Sequence, residues 1–145
     1  MAKAKTKTAP VPETSPLDLD FALADPLRAV NLVREGVPWS VYRDVISDLG
    51  LTDQTAADVL HIPTRTLARR RGGRLEPSEG ERLLRLIRLV ARATDVLGEA
   101  RQAVRWMEAP NRALAGATPM SLLDTDIGTQ AAEELLTRIE YGVFS

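Results

Sequence analysis

The sequence predicts an all-α protein, with a helix-turn-helix domain followed by a small helical C-terminal domain. Three observations carry this. Apolar residues recur at three- and four-residue spacing from Leu27 to Ile139, the period of amphipathic helices. No stretch alternates apolar and polar residues in the manner of a half-buried strand. The punctuation is that of helix ends: Asp-Pro, Thr or Ser ahead of periodic stretches, and Gly or Gly-Gly after them.

Composition narrows the function classes. At 145 residues, 44% hydrophobic and 27% charged, the chain suits one ordinary domain or two small ones sharing a core. With no cysteine and a single histidine, it offers no disulfide, thiolate zinc site, cysteine nucleophile or multi-histidine metal cluster. It also has no glycine-rich phosphate loop, and Asp124 and Asp126, two apart, do not share a helix face. Neither catalysis nor a cofactor is expected. No apolar run nears the ~18 residues of a membrane span. The basic start, with Lys3, Lys5 and Lys7, leads into no apolar run, so a secretory signal is not expected and a cytoplasmic location is.

The elements follow in order. Residues 1–16, with Pro10, Pro12 and Pro16, form a disordered basic tail, and order begins near Leu17. Asp25 as N-cap with Pro26 in the first turn starts a helix whose Leu27, Val30 and Val33 share a face, ended by Gly36 and Pro38. Trp39, Tyr42, Val45, Ile46 and Leu49 mark a second helix, closed by Gly50. Thr52 caps a short helix over 53–60, with Ala56, Ala57 and Leu60 facing inward; Thr64 caps another, running to about Arg71 before Gly72-Gly73. Ser78-Glu79-Gly80-Glu81 reads as a capping box ahead of a long stretch over 79–107, broken near Gly98. Pro110 ends it. A Gly/Pro-punctuated segment, 110–119, leads through Met120–Leu123 to a last helix with Ala131, Leu135, Leu136 and Ile139. The domains are 17–92 and 93–145.

Residues 52–71 carry the sharpest local pattern, two short helices about a three-residue turn. Ala57 is small where the helices cross, and Leu60, Ile62 and Leu67 lie between them. His61 stands at a turn position that favours positive φ, where His is among the better non-glycine residues. The second helix is rich in arginine. Its N-terminal residues are the ones that would reach base edges in a major groove, here Thr64, Arg65, Thr66 and Arg69. Arg70, Arg71 and Arg74 suit phosphate contacts, and Thr52, Gln54 and Thr55 at the start of the preceding helix suit another phosphate. An arginine-rich helical hairpin can equally be a solvated surface, or a docking face for an acidic partner.

The total charge of −1 conceals asymmetry. Residues 61–92 hold nine Arg and three Glu, whereas 8–60 hold three Arg and nine acids, and 93–145 four Arg and eight acids. A local basic face attracts polyanions whatever the total.

The C-terminal third narrows the reading further. Its run from Trp106 through Pro110-Asn111-Arg112-Ala113-Leu114-Ala115-Gly116-Ala117-Thr118-Pro119 continues with Leu122-Leu123-Asp124-Thr125 and Gly128, and ends in Arg138-Ile139-Glu140-Tyr141-Gly142-Val143. This resembles the toxin-binding domain of the Xre/MbcA/ParS antitoxins. With the helix-turn-helix ahead of it, the resemblance covers roughly Leu17 to the end.

The resemblance implies a type II antitoxin of a RES–Xre system, whose partner is a RES-domain toxin that consumes NAD⁺. It also implies binding of that toxin by the C-terminal domain, binding of the shared promoter by the helix-turn-helix, and a 2:2 or larger complex. The alternative is a free-standing helix-turn-helix regulator with no toxin partner. Asn111, Thr118, Asp124 and Thr125 suit caps, Gly116 a special backbone turn, and Trp106 the core. The tip, Arg138, Glu140, Tyr141, Gly142, Val143, Phe144 and Ser145, suits a partner surface, since Tyr and Arg anchor interfaces. It is expected to cover the toxin's substrate pocket, with Arg138 meeting groups that recognise NAD⁺ phosphates, unless the tip docks on its own domain. One short helix spans few base pairs, so a homodimer is expected, its recognition helices about 34–36 Å apart. The 79–107 stretch is the expected subunit contact.

Overall fold

The structure is a computed structural model, and it describes residues 24–142. The basic tail 1–16, the start of order at Leu17, and Val143, Phe144 and Ser145 lie outside the described residues. In chain order the described residues form α1 (Pro26–Glu35), α2 (Trp39–Leu49), α3 (Asp53–Leu60), α4 (Thr64–Arg69), α5 (Pro77–Leu97) and α6 (Ala100–Glu108). Two 3-10 turns follow, Arg112–Leu114 and Pro119–Asp124, and then α7 (Asp126–Glu140). The all-α prediction holds among these residues, and the only strand-like pairing there is an isolated bridge between Pro38 and Arg74. No helix among them is long and apolar enough to cross a membrane.

Helix α5 is the axis. Leu83, Leu84, Leu86, Ile87, Leu89, Val90 and Ala93 are all buried on it, so its apolar surface wraps most of the helix and not one stripe. It packs against α1, α3, α6, α7 and the second 3-10 turn. Each such Leu, Ile or Val side chain removed from water contributes about 1.5–3 kcal/mol before ordering costs. The stretch 79–107, expected as the subunit contact, falls within α5 and α6. The chain's own elements already cover the apolar residues of α5. The expected domain boundary at 92/93 falls inside this continuous helix, and one buried cluster runs from Val37 in the N-terminal half to Leu136 in the C-terminal half.

Most predicted helix ends recur with the expected chemistry. The side chain of Asp25 accepts from the Leu27 N–H with Pro26 in the first turn, and those of Thr52 and Thr125 accept from Thr55 and Gly128. Asn111 and Thr118 cap the two 3-10 turns. His61 takes the left-handed conformation, φ 55°, that its turn position requires.

Four expectations are corrected. Pro63, not Thr64, is the N-cap of α4, and no side chain caps that helix. Helix α5 starts at Pro77, so Ser78 lies inside it, and the reaching carboxylate is that of Glu79, which accepts from the Glu76 N–H at 2.7 Å. Asp124 caps nothing, and its carboxylate stands 3.7 Å from the His61 Nε2. On α1, Leu27 and Val30 face solvent at 74% and 38% exposure, and that helix packs inward through Ala29, Leu32 and Val33.

Two contacts fix the motif in its frame. The Trp39 N–H donates to the Gly73 carbonyl and the Leu75 N–H to the Val37 carbonyl, each at 2.9 Å, tying the entry of α2 to the exit of α4. Glu79 then joins that exit to α5, receiving Nε and an outer nitrogen of Arg70, both at 3.0 Å. Burial pushes the Glu79 carboxyl up, but the Arg70 guanidinium and the Glu76 N–H outweigh it and hold the group below the ordinary 4.5.

Because the folded Glu79 value lies below the unfolded one, its contribution is complete above about 4.5 and fades as pH falls through the folded value. Thermal melts of wild type and Glu79→Gln between pH 3 and 7 should therefore differ most near neutrality, with Glu79→Gln the less stable, and converge in acid. A gap independent of pH would show that the ionised pair does not hold the motif. A second prediction concerns Gly128, where an added Cβ would collide with the Leu122 carbonyl oxygen. Gly128→Ala should lower stability by about 1–3 kcal/mol, read as a fall in Tm of about 2–8 °C.

Candidate functional site

The helix-turn-helix is α3, the turn His61–Pro63, and α4. Ala56, Ala57, Leu60, Ile62 and Leu67 are buried between these helices and α5, so α4 is held by its apolar side and its other side is open. On the open side Thr64, Arg65 and Arg69 are exposed, Thr66 is half-buried, and an outer nitrogen of Arg69 lies 3.4 Å from the Thr66 hydroxyl. Arg71, in the turn that follows, is exposed too.

The nine arginines of 61–92 do not act as one basic face. Arg70 pairs with Glu79, and Arg74 donates to the Gly36 carbonyl at 2.7 Å. Arg82 donates to the Leu60 carbonyl at 2.9 Å, closing the end of α3, and Arg85 binds both Glu81 and the Leu123 carbonyl. Arg88 and Arg92 pair with Glu133 and Glu140 on α7. Arg65, Arg69 and Arg71 are left, and among the described residues none of the three has an ion pair. Arg70 and Arg74, expected at phosphates, thus also make contacts within the chain, Arg70 half-buried on Glu79 and Arg74 exposed.

The start of α3 has contacts of its own, although Thr52 and Gln54 stay exposed. The Thr55 N–H is held by Thr52, the Gln54 amide donates to the Asp58 carboxylate at 3.0 Å, and Asp53 puts a negative charge in the first turn. A phosphate there would meet a like charge. Tyr42 registers the same charge: burial, and then Asp53, push its phenol up to about 12.

At the other end of the molecule, α7 lies along α5 through the Arg88–Glu133 and Arg92–Glu140 pairs, at 3.0 and 2.6 Å. Leu135 and Leu136 are buried, and the Thr129 hydroxyl returns to the Thr125 carbonyl at 2.9 Å. The helix then stops. Tyr141 is 74% exposed and Gly142 turns left-handed at φ 71°. Of the expected tip residues, Arg138 and Tyr141 are open, whereas Glu140 is bound to Arg92. Between the two ends lies a cavity of about 390 Å³, lined in part by Asp58, His61, Glu108 and Asp124, where the turn of the motif meets the second 3-10 turn. Sequence spacing did not identify the contacts that α5 makes through Arg82, Arg85, Arg88 and Arg92. An arginine every three or four residues on a buried helix was their only trace.

Comparison with known proteins agrees with both halves. Residues 28–88 match the antitoxin Xre-like helix-turn-helix domain, and residues 92–142 the antitoxin Xre/MbcA/ParS C-terminal toxin-binding domain. A protein named Antitoxin Xre from Yersinia enterocolitica is 33% identical over 143 residues, spanning 94% of this chain and 97% of its own. Another of that name, from Pseudomonas putida, is 37% identical over 115 residues, 78% of this chain and 63% of its own. A protein named Prs ADP-ribosylating antitoxin, from Sphingobium sp., is 26% identical over 133 residues, 84% of each chain. The chain therefore belongs to the Xre antitoxins, joining a helix-turn-helix domain to an Xre/MbcA/ParS toxin-binding domain.

Proposed function

We propose that this antitoxin neutralises a RES-domain toxin that consumes NAD⁺, and that it represses its own promoter as a homodimer. The observation that carries the first part is the exposed end of α7. There a rigidly held helix within the toxin-binding domain delivers an open tyrosine and arginine, residue types that anchor interfaces. Arg138, Tyr141 and Gly142, with Val143, Phe144 and Ser145 beyond them, cover the toxin's substrate pocket, and occlusion stops NAD⁺ loss without any chemistry by the antitoxin.

The second part rests on α4. Thr64, Arg65, Thr66 and Arg69 read base edges, Arg71 meets a phosphate, and a second copy places an equivalent helix one helical turn of DNA away. The smaller set of open arginines means that affinity depends on fewer phosphate contacts than the sequence charge suggests. A free-standing regulator is the weaker reading, because it leaves the matched toxin-binding domain without a use.

Two experiments test these parts. In the first, the chain is co-expressed with the protein of the adjacent reading frame, and cellular NAD⁺ and co-purification are followed. Wild type should preserve NAD⁺ and co-purify, and a folded chain ending at Glu140 should do neither; protection by that shortened chain would remove the tip from the mechanism. One relative carries ADP-ribosylation in its name, so the assay should separate free ADP-ribose from protein-bound ADP-ribose. In the second, Arg65→Ala or Arg69→Ala should each weaken promoter binding by about 1–3 kcal/mol and relax sequence preference. Arg71→Ala should flatten the salt dependence by about one unit per subunit with little change in preference.

A further inference from the structure

Arg92 of α5 reaches the last turn of α7. A single outer nitrogen of Arg92 binds the Glu140 carboxylate at 2.6 Å and the Thr137 hydroxyl at 3.2 Å. Both partners lie in the last turn of α7, immediately before Tyr141. One turn earlier on α5, the Arg88 Nε donates to the Glu133 carboxylate, so the two helices are laced at successive turns. After Glu140 the lacing ends, and Tyr141 and Gly142 project into solvent.

A helix terminus left to itself frays, because its last carbonyls have no partners within the helix. Fixing the last turn from a neighbouring helix holds the direction in which the following residues leave. We propose that Arg92 is a positioning residue for toxin binding: it touches no toxin, and it pre-sets the exit of Tyr141 and the residues after it by anchoring Glu140 and Thr137 to the core helix. This rests on the reading that the tip binds the toxin, and it reassigns Glu140 from toxin contact to anchor. The anchor is charged in both partners, since the Arg92 guanidinium holds the Glu140 carboxyl below its usual range. Preorganisation of this kind raises affinity by removing the ordering that binding would otherwise require.

The pair is partly exposed, at 31% and 38%, which bounds the effect to about fivefold in affinity. The test measures Kd of the full-length chain for the protein encoded by the adjacent reading frame, alongside promoter affinity and Tm. Arg92→Ala should raise Kd about three- to fivefold and leave promoter affinity unchanged. Arg92→Lys should keep most of the affinity, because both contacts come from one nitrogen that an ammonium can replace. The exchange R92E/E140R should bring Kd back toward wild type, which loss of packing alone would not do.

A chain ending at Glu140 separates the anchor from the tip. If that chain loses binding while Arg92→Ala keeps wild-type Kd, the anchor is overturned and the tip stands. If it binds as tightly as wild type, or if wild type does not bind, the tip reading fails and the anchor falls with it. If the exchange variant is folded but stays as weak as Arg92→Ala, Glu140 contacts the partner directly and the anchor is overturned.

Discussion

The Glu79 carboxylate does two jobs on which the rest of the molecule depends. It accepts the Glu76 N–H, which starts the 21-residue helix α5, and it takes the Arg70 guanidinium, which ends the six-residue helix α4. A helix as short as α4 has little stability of its own, because nucleation costs more than so few hydrogen bonds return. Its orientation must come from outside, and the Glu79 clamp together with Leu67 in the core supplies it. The geometry is that of a mostly buried, two-point Arg–carboxylate pair, which fixes direction as well as distance.

From that junction the structure is organised around α5. Val37 packs where an added Cβ at Gly80 would come within 2.9 Å of its methyl group, so the chain entering the motif touches the same helix that leaves it. Farther along, α6, the second 3-10 turn and α7 close on the remaining faces. The helix-turn-helix and the toxin-binding region are thus two surfaces of one packed body. The close approach of His61 to Asp124 is the point at which the turn of the first meets a loop of the second.

The arginines show how charge in a sequence and charge on a surface differ. Nine of them in residues 61–92 read as a single basic face. Folding divides them by the side of the helix on which each falls. Those on α5 sit at the edges of a buried helix, with apolar stems against the core and guanidinium heads on carbonyls and acids of neighbouring elements. Those on the open side of α4 keep their charge available. Glu133 and Glu140 of α7, which counted within a separate negative block, are the partners of two of these arginines.

Local chemistry was sufficient for the sequence to set the helix periods, the caps by Asp25, Thr52, Asn111, Thr118 and Thr125, the left-handed turn at His61 and the motif of 106–143. Each depends on residues within a few positions of one another. Tertiary structure alone decided which arginines pair within the chain, that α5 is a core axis, and that Glu140 meets Arg92. It also decided that Leu27 and Val30 face water. These outcomes turn on pairs such as Arg92 and Glu140, 48 residues apart, or Arg82 and Leu60, 22 apart. Amphipathic periodicity says that a helix has a face to bury, but what lies opposite that face, and which charge meets which, is fixed only when the helices pack.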